Sequence, residues 1–190
     1  IIVHPAVRNM LLTQKVFAEG SRALAYYLAT YADIAEATDN PEEKKAAEDR
    51  LALLTPIAKA LMTETGVEAA KHGMQVFGGH GYIREWGMEQ CIRDLRISQI
   101  YEGTNGVQSQ DLIGRKTIKC GGAFIAEYIT EIRDFANDLD TDLNFIKDAT
   151  LDAATEIEAI TQFIIEQAAE NVEFPNSAAV DYLHTVGLLS

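Results

Sequence analysis

With 190 residues, 47% hydrophobic content and a formal net charge of -13, the chain carries enough apolar material for one domain or one and a half of a soluble globular protein. The charge is uneven: residues 1–120 hold 14 Lys/Arg against 15 Asp/Glu, whereas residues 121–190 hold 2 against 14. An acidic tail of this kind repels nucleic acid and anionic lipid, which excludes both as expected partners, and no apolar run approaches the roughly 18 to 20 residues that cross a bilayer.

The tail reads as a solvated helix face, with a docking surface as the alternative. Cys91 and Cys120 make neither a disulfide framework nor a metal spacing, so the expectation is two thiols in a reducing, cytoplasmic compartment. The chain starts at Ile1 with no charged leader and no small-residue cleavage site, which reads as a fragment rather than a secreted or full-length start.

In chain order, the first predicted element follows His4 and Pro5. Val7, Met10, Leu11, Gln14, Phe17, Ala18, Ser21, Leu24, Ala25, Leu28, Tyr31 and Ala32 step by three and four, the period of a long amphipathic helix with proline in its first turn. Gly20 inside it costs about 1 kcal/mol relative to alanine, which points to close helix packing there. Thr38-Asp39-Asn40-Pro41 ends this helix, and Asn40 is placed to cap the next.

The second predicted helix runs from Pro41 to Phe77 and is expected to break or bend near Pro56, where a hydrogen bond is lost, with Thr55 capping a restart. Its first part, Glu42 to Arg50, is charged enough to be an exposed or mobile segment. Beyond it come a glycine-rich turn, a loop over Tyr82–Trp86, a short helix over Gly87–Asp94, and a helix over Asn105–Lys119 capped by Thr104 or Asn105. Arg93 and Asp94 are expected to form an internal ion pair, His80 to have a structural role, and Trp86 to be core or interface. Cys120-Gly121-Gly122 stops that helix. Three more follow, over Ala123–Leu139, Asp142–Val172 and, after a Phe174–Ser177 turn, Ala178–Val186. No alternating strand pattern occurs, so the fold class is all-α, with an antiparallel four-helix bundle over residues 5–119 and additional helices after it.

Two stretches carry chemistry. Gly78, Gly79 and Gly81 permit positive φ and bring a ligand close to bare backbone, which suits a phosphate-bearing cofactor; a glycine-rich helix stop is the plainer alternative. Glu102 stands between Ile97, Ile100 and Tyr101 on one side and a Gly-Thr-Asn-Gly turn on the other. A carboxylate held against apolar neighbours has a raised pKa, as a general base needs, although a solvated turn residue would look the same in isolation. No Glu-x-x-His pair is present, so no metal is expected.

Together, Q-x-x-G-G-x-G-Y from Gln75, then Arg93-Asp94, then I-Y-E-G-T from Ile100 resemble the C-terminal domain of the acyl-CoA dehydrogenase family. H-G-Y-I-R-E-W-G-M-E-Q from His80 and the extra helices after Gly122 resemble its long branch, the enzymes similar to 3-methylmercaptopropionyl-CoA dehydrogenase. The resemblance implies an FAD enzyme that desaturates an acyl-CoA thioester, with Glu102 as the base that takes the α proton. It places Gln75, Gly78 and Gly79 along the adenosine and pyrophosphate part of FAD, usually of the neighbouring subunit, Thr104 beside the flavin, and Gly103 beside the substrate thioester. Gly106 stands where many relatives carry glutamine, which removes one side-chain contact to FAD. The resemblance further implies a homodimer or homotetramer, a bundle at residues 1–120 followed by an acidic extension at 121–190, and a fragment inactive by itself. It leaves acyl-chain preference and electron acceptor open. A helical assembly module without its own catalysis is the competing reading, supported only by Gly106.

Overall fold

The computed structural model describes residues 1–190. Helix α1 (Pro5–Ala37) and helix α2 (Pro41–Phe77) are joined by only three residues, which forces an antiparallel hairpin. Pro5 and Pro41 sit at the first turns, and the Asn40 side chain accepts from the Glu42 N–H at 3.0 Å, so the predicted cap forms.

Helix α2 does not break at Pro56. It continues for 37 residues with Pro56 buried inside it, and Thr55, expected to cap a restart, instead donates its hydroxyl to the Leu51 carbonyl at 2.6 Å. An interior proline costs about 3 kcal/mol. Leu53, Leu54 and Ile57 around it are all 0% exposed, and burying side chains of this size contributes about 1.5 to 3 kcal/mol each, enough to hold the helix through the defect. The Glu42–Arg50 segment is likewise helical, and its Ala47 is buried. At Gly20 the expected close packing is absent: a Cβ there would meet nothing within 4 Å, and the glycine borders an open groove shared with Tyr27, Tyr128 and Ile132. The close approach occurs at Gly73, where a Cβ would lie 2.6 Å from Met88 Cε and 3.5 Å from Gln14 Oε1.

After α2 the chain tightens into 3-10 turns at Gly78–Tyr82 and Arg84–Trp86, more ordered than the expected loop, and then forms α3 (Met88–Arg96). Arg93 and Asp94 do not pair. Adjacent helical residues point about 100° apart, and Asp94 accepts from Gln90 at 2.6 Å instead. Helix α4 (Asn105–Gln110) runs into a π-helical segment, Asp111–Ile118, in which Thr117 donates to the Leu112 carbonyl at 3.0 Å across the widened turn. Helices α5 (Ala123–Asn137), α6 (Asn144–Glu170) and α7 (Phe174–Leu189) complete the chain. The Phe174–Ser177 sequence, expected as a turn, is the first turn of α7, with Pro175 at a position where its missing N–H is harmless. There is no strand.

The later helices share one core with α2 and the π segment: Leu53, Ile57, Leu112, Ile129, Ile164 and Leu183 belong to a single buried cluster. Arg50 fastens α5 to the hairpin. Its guanidinium pairs with Glu131, donates to Tyr27 at 3.0 Å, and lies over the Tyr128 ring at 5.0 Å. Deeper in, the Tyr182 hydroxyl bonds Thr161 at 2.9 Å and Thr117 at 3.4 Å, linking α7, α6 and the π segment.

Burial pushes the Tyr182 phenol above its ordinary value of 10.0, against the lowering by its two hydroxyl partners. Tyr128 shifts upward for the same leading reason. A raised folded-state value means stability fully present below about pH 10 and lost as the unfolded chain ionises above it. Tyr182→Phe is expected to be less stable than the parent by about 1 kcal/mol at neutral pH. In thermal unfolding series carried above pH 10 the gap between the two proteins should narrow, and a constant gap would show that Tyr182 ionises equally in both states.

Candidate functional site: the Glu102 turn and the glycine turn

Glu102 is the single non-glycine residue with positive φ, at 52°, and Gly103 follows at 80°. A left-handed non-glycine residue costs on the order of 1 to 2 kcal/mol and persists only where its surroundings hold it. Three sets of contacts do so. The Thr104 hydroxyl caps α4 by accepting from the Val107 N–H at 3.3 Å. The Gln108 amide donates to the carbonyls of Glu102 and Gly103 at 3.4 and 3.5 Å. Asn105 ties the turn to α2, accepting from Lys59 Nζ at 2.8 Å and donating to Glu64 Oε1 at 2.9 Å, with Thr63 Oγ1 at 3.1 Å.

The Glu102 side chain is exposed, and the only hydrogen bond at this residue is to its backbone carbonyl. The apolar neighbours invoked from sequence are themselves exposed: Ile97 54%, Ile100 47% and Tyr101 51%. They therefore do not bury the carboxylate. Lys59 is the nearest influence of opposite charge. Partial burial lowers its pKa, and Glu102 and Glu64 pull it back up.

Gln75, Gly78 and Gly79 lie elsewhere. Asn105 meets α2 at Thr63, and Gln75 is twelve residues further along the same helix, about 18 Å at 1.5 Å per residue. One chain therefore does not bring the two sets of residues into one pocket. Gly78 ends α2 at φ 62°, and a Cβ on Gly78 or Gly79 would meet nothing within 4 Å. This exposed bare backbone, with the exposed Gln75 side chain beside it, fits a phosphate-bearing group laid along the surface and does not enclose one. Gly81 is different: a Cβ there would lie 2.5 Å from the Met74 carbonyl oxygen and 2.9 Å from Phe77 Cβ. Of the three glycines, it is the one the packing demands. Trp86 is half exposed and meets the His80 ring edge-on at 5.5 Å, so it is not core.

Residues 1–117 match the family model for the acyl-CoA dehydrogenase C-terminal domain. The chain belongs to the acyl-CoA dehydrogenase family. Among its relatives, the 3-methylmercaptopropionyl-CoA dehydrogenase of Ruegeria pomeroyi is 46% identical over 123 residues, covering 64% of this chain and 21% of that protein. A broad-specificity linear acyl-CoA dehydrogenase of Mycobacterium tuberculosis is 31% identical over 194 residues, covering 97% of this chain and 32% of that protein. A butyryl-CoA dehydrogenase of Syntrophomonas wolfei is 39% identical, covering 71% of this chain and 22% of that protein. The chain thus spans about a fifth to a third of the length of the curated relatives it matches. The Mycobacterium match extends through the acidic helices, whereas the family model stops before them.

Sequence reasoning missed Lys59, Thr63, Glu64 and His184, and saw Asn105 only as a possible cap. A signal existed in α2: Lys59 and Thr63, four residues apart, put two polar groups on one face within the apolar stretch that begins at Leu51. The glycine turn gives a direct test. Gly81→Ala should lose about 2 to 4 kcal/mol of stability because the clash is with backbone, whereas Gly79→Ala should stay within about 0.5 kcal/mol. Denaturant unfolding of the two variants distinguishes a packing requirement at Gly81 from equal tolerance at both.

Proposed function

We propose that this chain is the C-terminal part of a flavin-dependent acyl-CoA dehydrogenase, in which Glu102 removes the α proton of an acyl-CoA thioester. The observation that supports it most is the Glu102 turn itself: a strained left-handed acid, held by three separate sets of contacts, presenting a carboxylate that no group of the chain occupies. Structural acids are more commonly paired or relaxed, and strain that the surroundings maintain is a mark of a working position. An acid that must accept a proton in a closed site needs access to substrate now and shielding later, and the exposed Ile97, Ile100 and Tyr101 supply apolar surface for a covering partner.

Gly103, directly after the base, has bare backbone for the thioester end of the substrate, and Thr104, whose hydroxyl caps α4, would stand beside the flavin. Gln75, Gly78 and Gly79 would hold the phosphate-bearing half of FAD from a second subunit, which accounts for their lying about 18 Å further along α2 than the point where Asn105 docks. When bound, FAD would accept the hydride from the β carbon. The bundle at residues 1–120 is then the catalytic unit and residues 121–190 an extension to it. In this reading the chain has no turnover alone, because it spans only a fraction of the length of its relatives.

In the intact holoenzyme, Glu102→Gln keeps the shape of the side chain and removes its capacity to take the proton. The rate of flavin reduction by acyl-CoA should fall on the order of 10²-fold or more with flavin content retained. Reduction at the parent rate would move the base to another residue and leave the assembly-module reading for this chain.

Association follows from the same surface. Leu12, Val16 and Tyr26 of α1 are 60 to 68% exposed, and Phe77, Tyr82 and Trp86 add apolar area near the glycine turn. A homodimer or homotetramer is expected at micromolar concentration in sedimentation velocity, and a monomer there would contradict a composite FAD site.

A further inference from the structure

A polar chain through Glu64 connects the acidic extension to the residue beside the Glu102 turn. Asn105 Nδ2 donates to Glu64 Oε1 at 2.9 Å, and the other Glu64 oxygen lies 2.6 Å from His184 Nε2 on α7. Glu64 is therefore shared between the first residue of α4 and the last helix of the chain. The Glu64 and His184 side chains are 32% and 44% exposed, and pairs at such positions add little to global stability. Their placement matters for another reason. The Thr104 cap and the Gln108 strap are local to the turn and α4 and would move with them, whereas Asn105, next to the turn, ties it to α2, and Gln110 at the far end of α4 donates to the Asn176 carbonyl of α7 at 3.4 Å. On α2 Asn105 meets Lys59, the Ala60 carbonyl, Thr63 and Glu64, and Glu64 carries the connection onward to α7.

We propose that Glu64 and His184 are positioning residues for Glu102: they hold Asn105, and through it the turn, in the left-handed conformation that presents the carboxylate. This makes α7 of the extension a support of the site. The inference rests on the reading of Glu102 as the base. A displacement of about 1 Å at a reacting group is enough to cost rate steeply, so a loosened turn should lower kcat while KM changes little.

The test uses the intact holoprotein with two readouts. Glu64→Ala should reduce the rate of flavin reduction by acyl-CoA roughly tenfold and His184→Ala roughly threefold. Glu64→Gln, which keeps an acceptor oxygen for Asn105, should recover most of the loss. Because His184 acts through Glu64, the double alanine variant should match Glu64→Ala alone. Losses that multiply, a parent-like rate in Glu64→Ala, or no recovery in Glu64→Gln would overturn the relay. The second readout is amide exchange at Val107 and Gln108, whose N–H groups donate to the Thr104 carbonyl at 2.8 and 3.0 Å. Both alanine variants should speed exchange at these amides several-fold and leave the α2 core unaffected. Unchanged exchange overturns the proposal regardless of the chemistry. Glu102→Gln run in parallel separates the two failures: a parent-like rate there removes the base, and accelerated exchange in the alanine variants would still report the mechanical link.

Discussion

The structure depends on α2 remaining a single rod through Pro56. At 1.5 Å per residue, its 37 residues span about 55 Å, and α1, α3, α4, α5 and α7 all pack along it. The proline removes one hydrogen bond and crowds the preceding turn, yet it sits where the chain buries its most apolar side chains. Helical periodicity is thus enforced from outside by Leu53, Leu54 and Ile57 against the later helices, rather than from within. Were the rod to hinge at residue 56, the Arg50 contacts with Tyr27 and Glu131 on one side and the Asn105 contacts with Lys59 and Thr63 on the other would lose their fixed relation.

A rigid rod also sets the spacing of the two turns. The glycine turn ends α2, and the Glu102 turn docks about twelve residues earlier, so rigidity keeps the two apart rather than letting them fold together. A Cβ at Gly78 or Gly79 would meet nothing of the chain within 4 Å. Gly106 is a milder case. A Cβ there would meet Thr104 Oγ1 at an ordinary 3.6 Å, so the glycine is not imposed by packing.

How much of this could be read from the residues differs by kind of signal. The long helices, the Asn40 cap, the Thr104 cap and the glycine stop at Gly122 follow from local rules and formed as expected. Pro56 and Thr55 misled because propensity is local and the burial that overrides it is not. Gly20 and Gly73 show the same limit: two glycines inside helices, of which only one allows a close approach, and helical spacing alone cannot say which. In the site, the Y-E-G-T stretch announced Glu102, but its positive φ and the partners of Asn105 depend on Glu64, 41 residues upstream of Asn105, and on His184 from α7. Pairing across such separations leaves no periodic trace.

The acidic extension is the last element that the fold makes sense of. Its helices turn Ile125, Ile129, Ile157, Ile164, Leu183 and Val186 into the common core, which leaves the carboxylates to face solvent. Both of its basic residues are already engaged, Arg133 with Glu158 at 2.8 Å and Lys147 with the Asn137 carbonyl at 3.4 Å. Most of the 14 acids in residues 121–190 therefore remain uncompensated, and two copies of this face would repel each other. The α1–α2 half is nearly neutral, with 14 Lys/Arg against 15 Asp/Glu in residues 1–120, and it carries the exposed Leu12, Val16 and Tyr26. Charge and apolar area thus point the same way: the hairpin and the glycine turn offer a near-neutral, apolar surface, whereas the extension offers an acidic one.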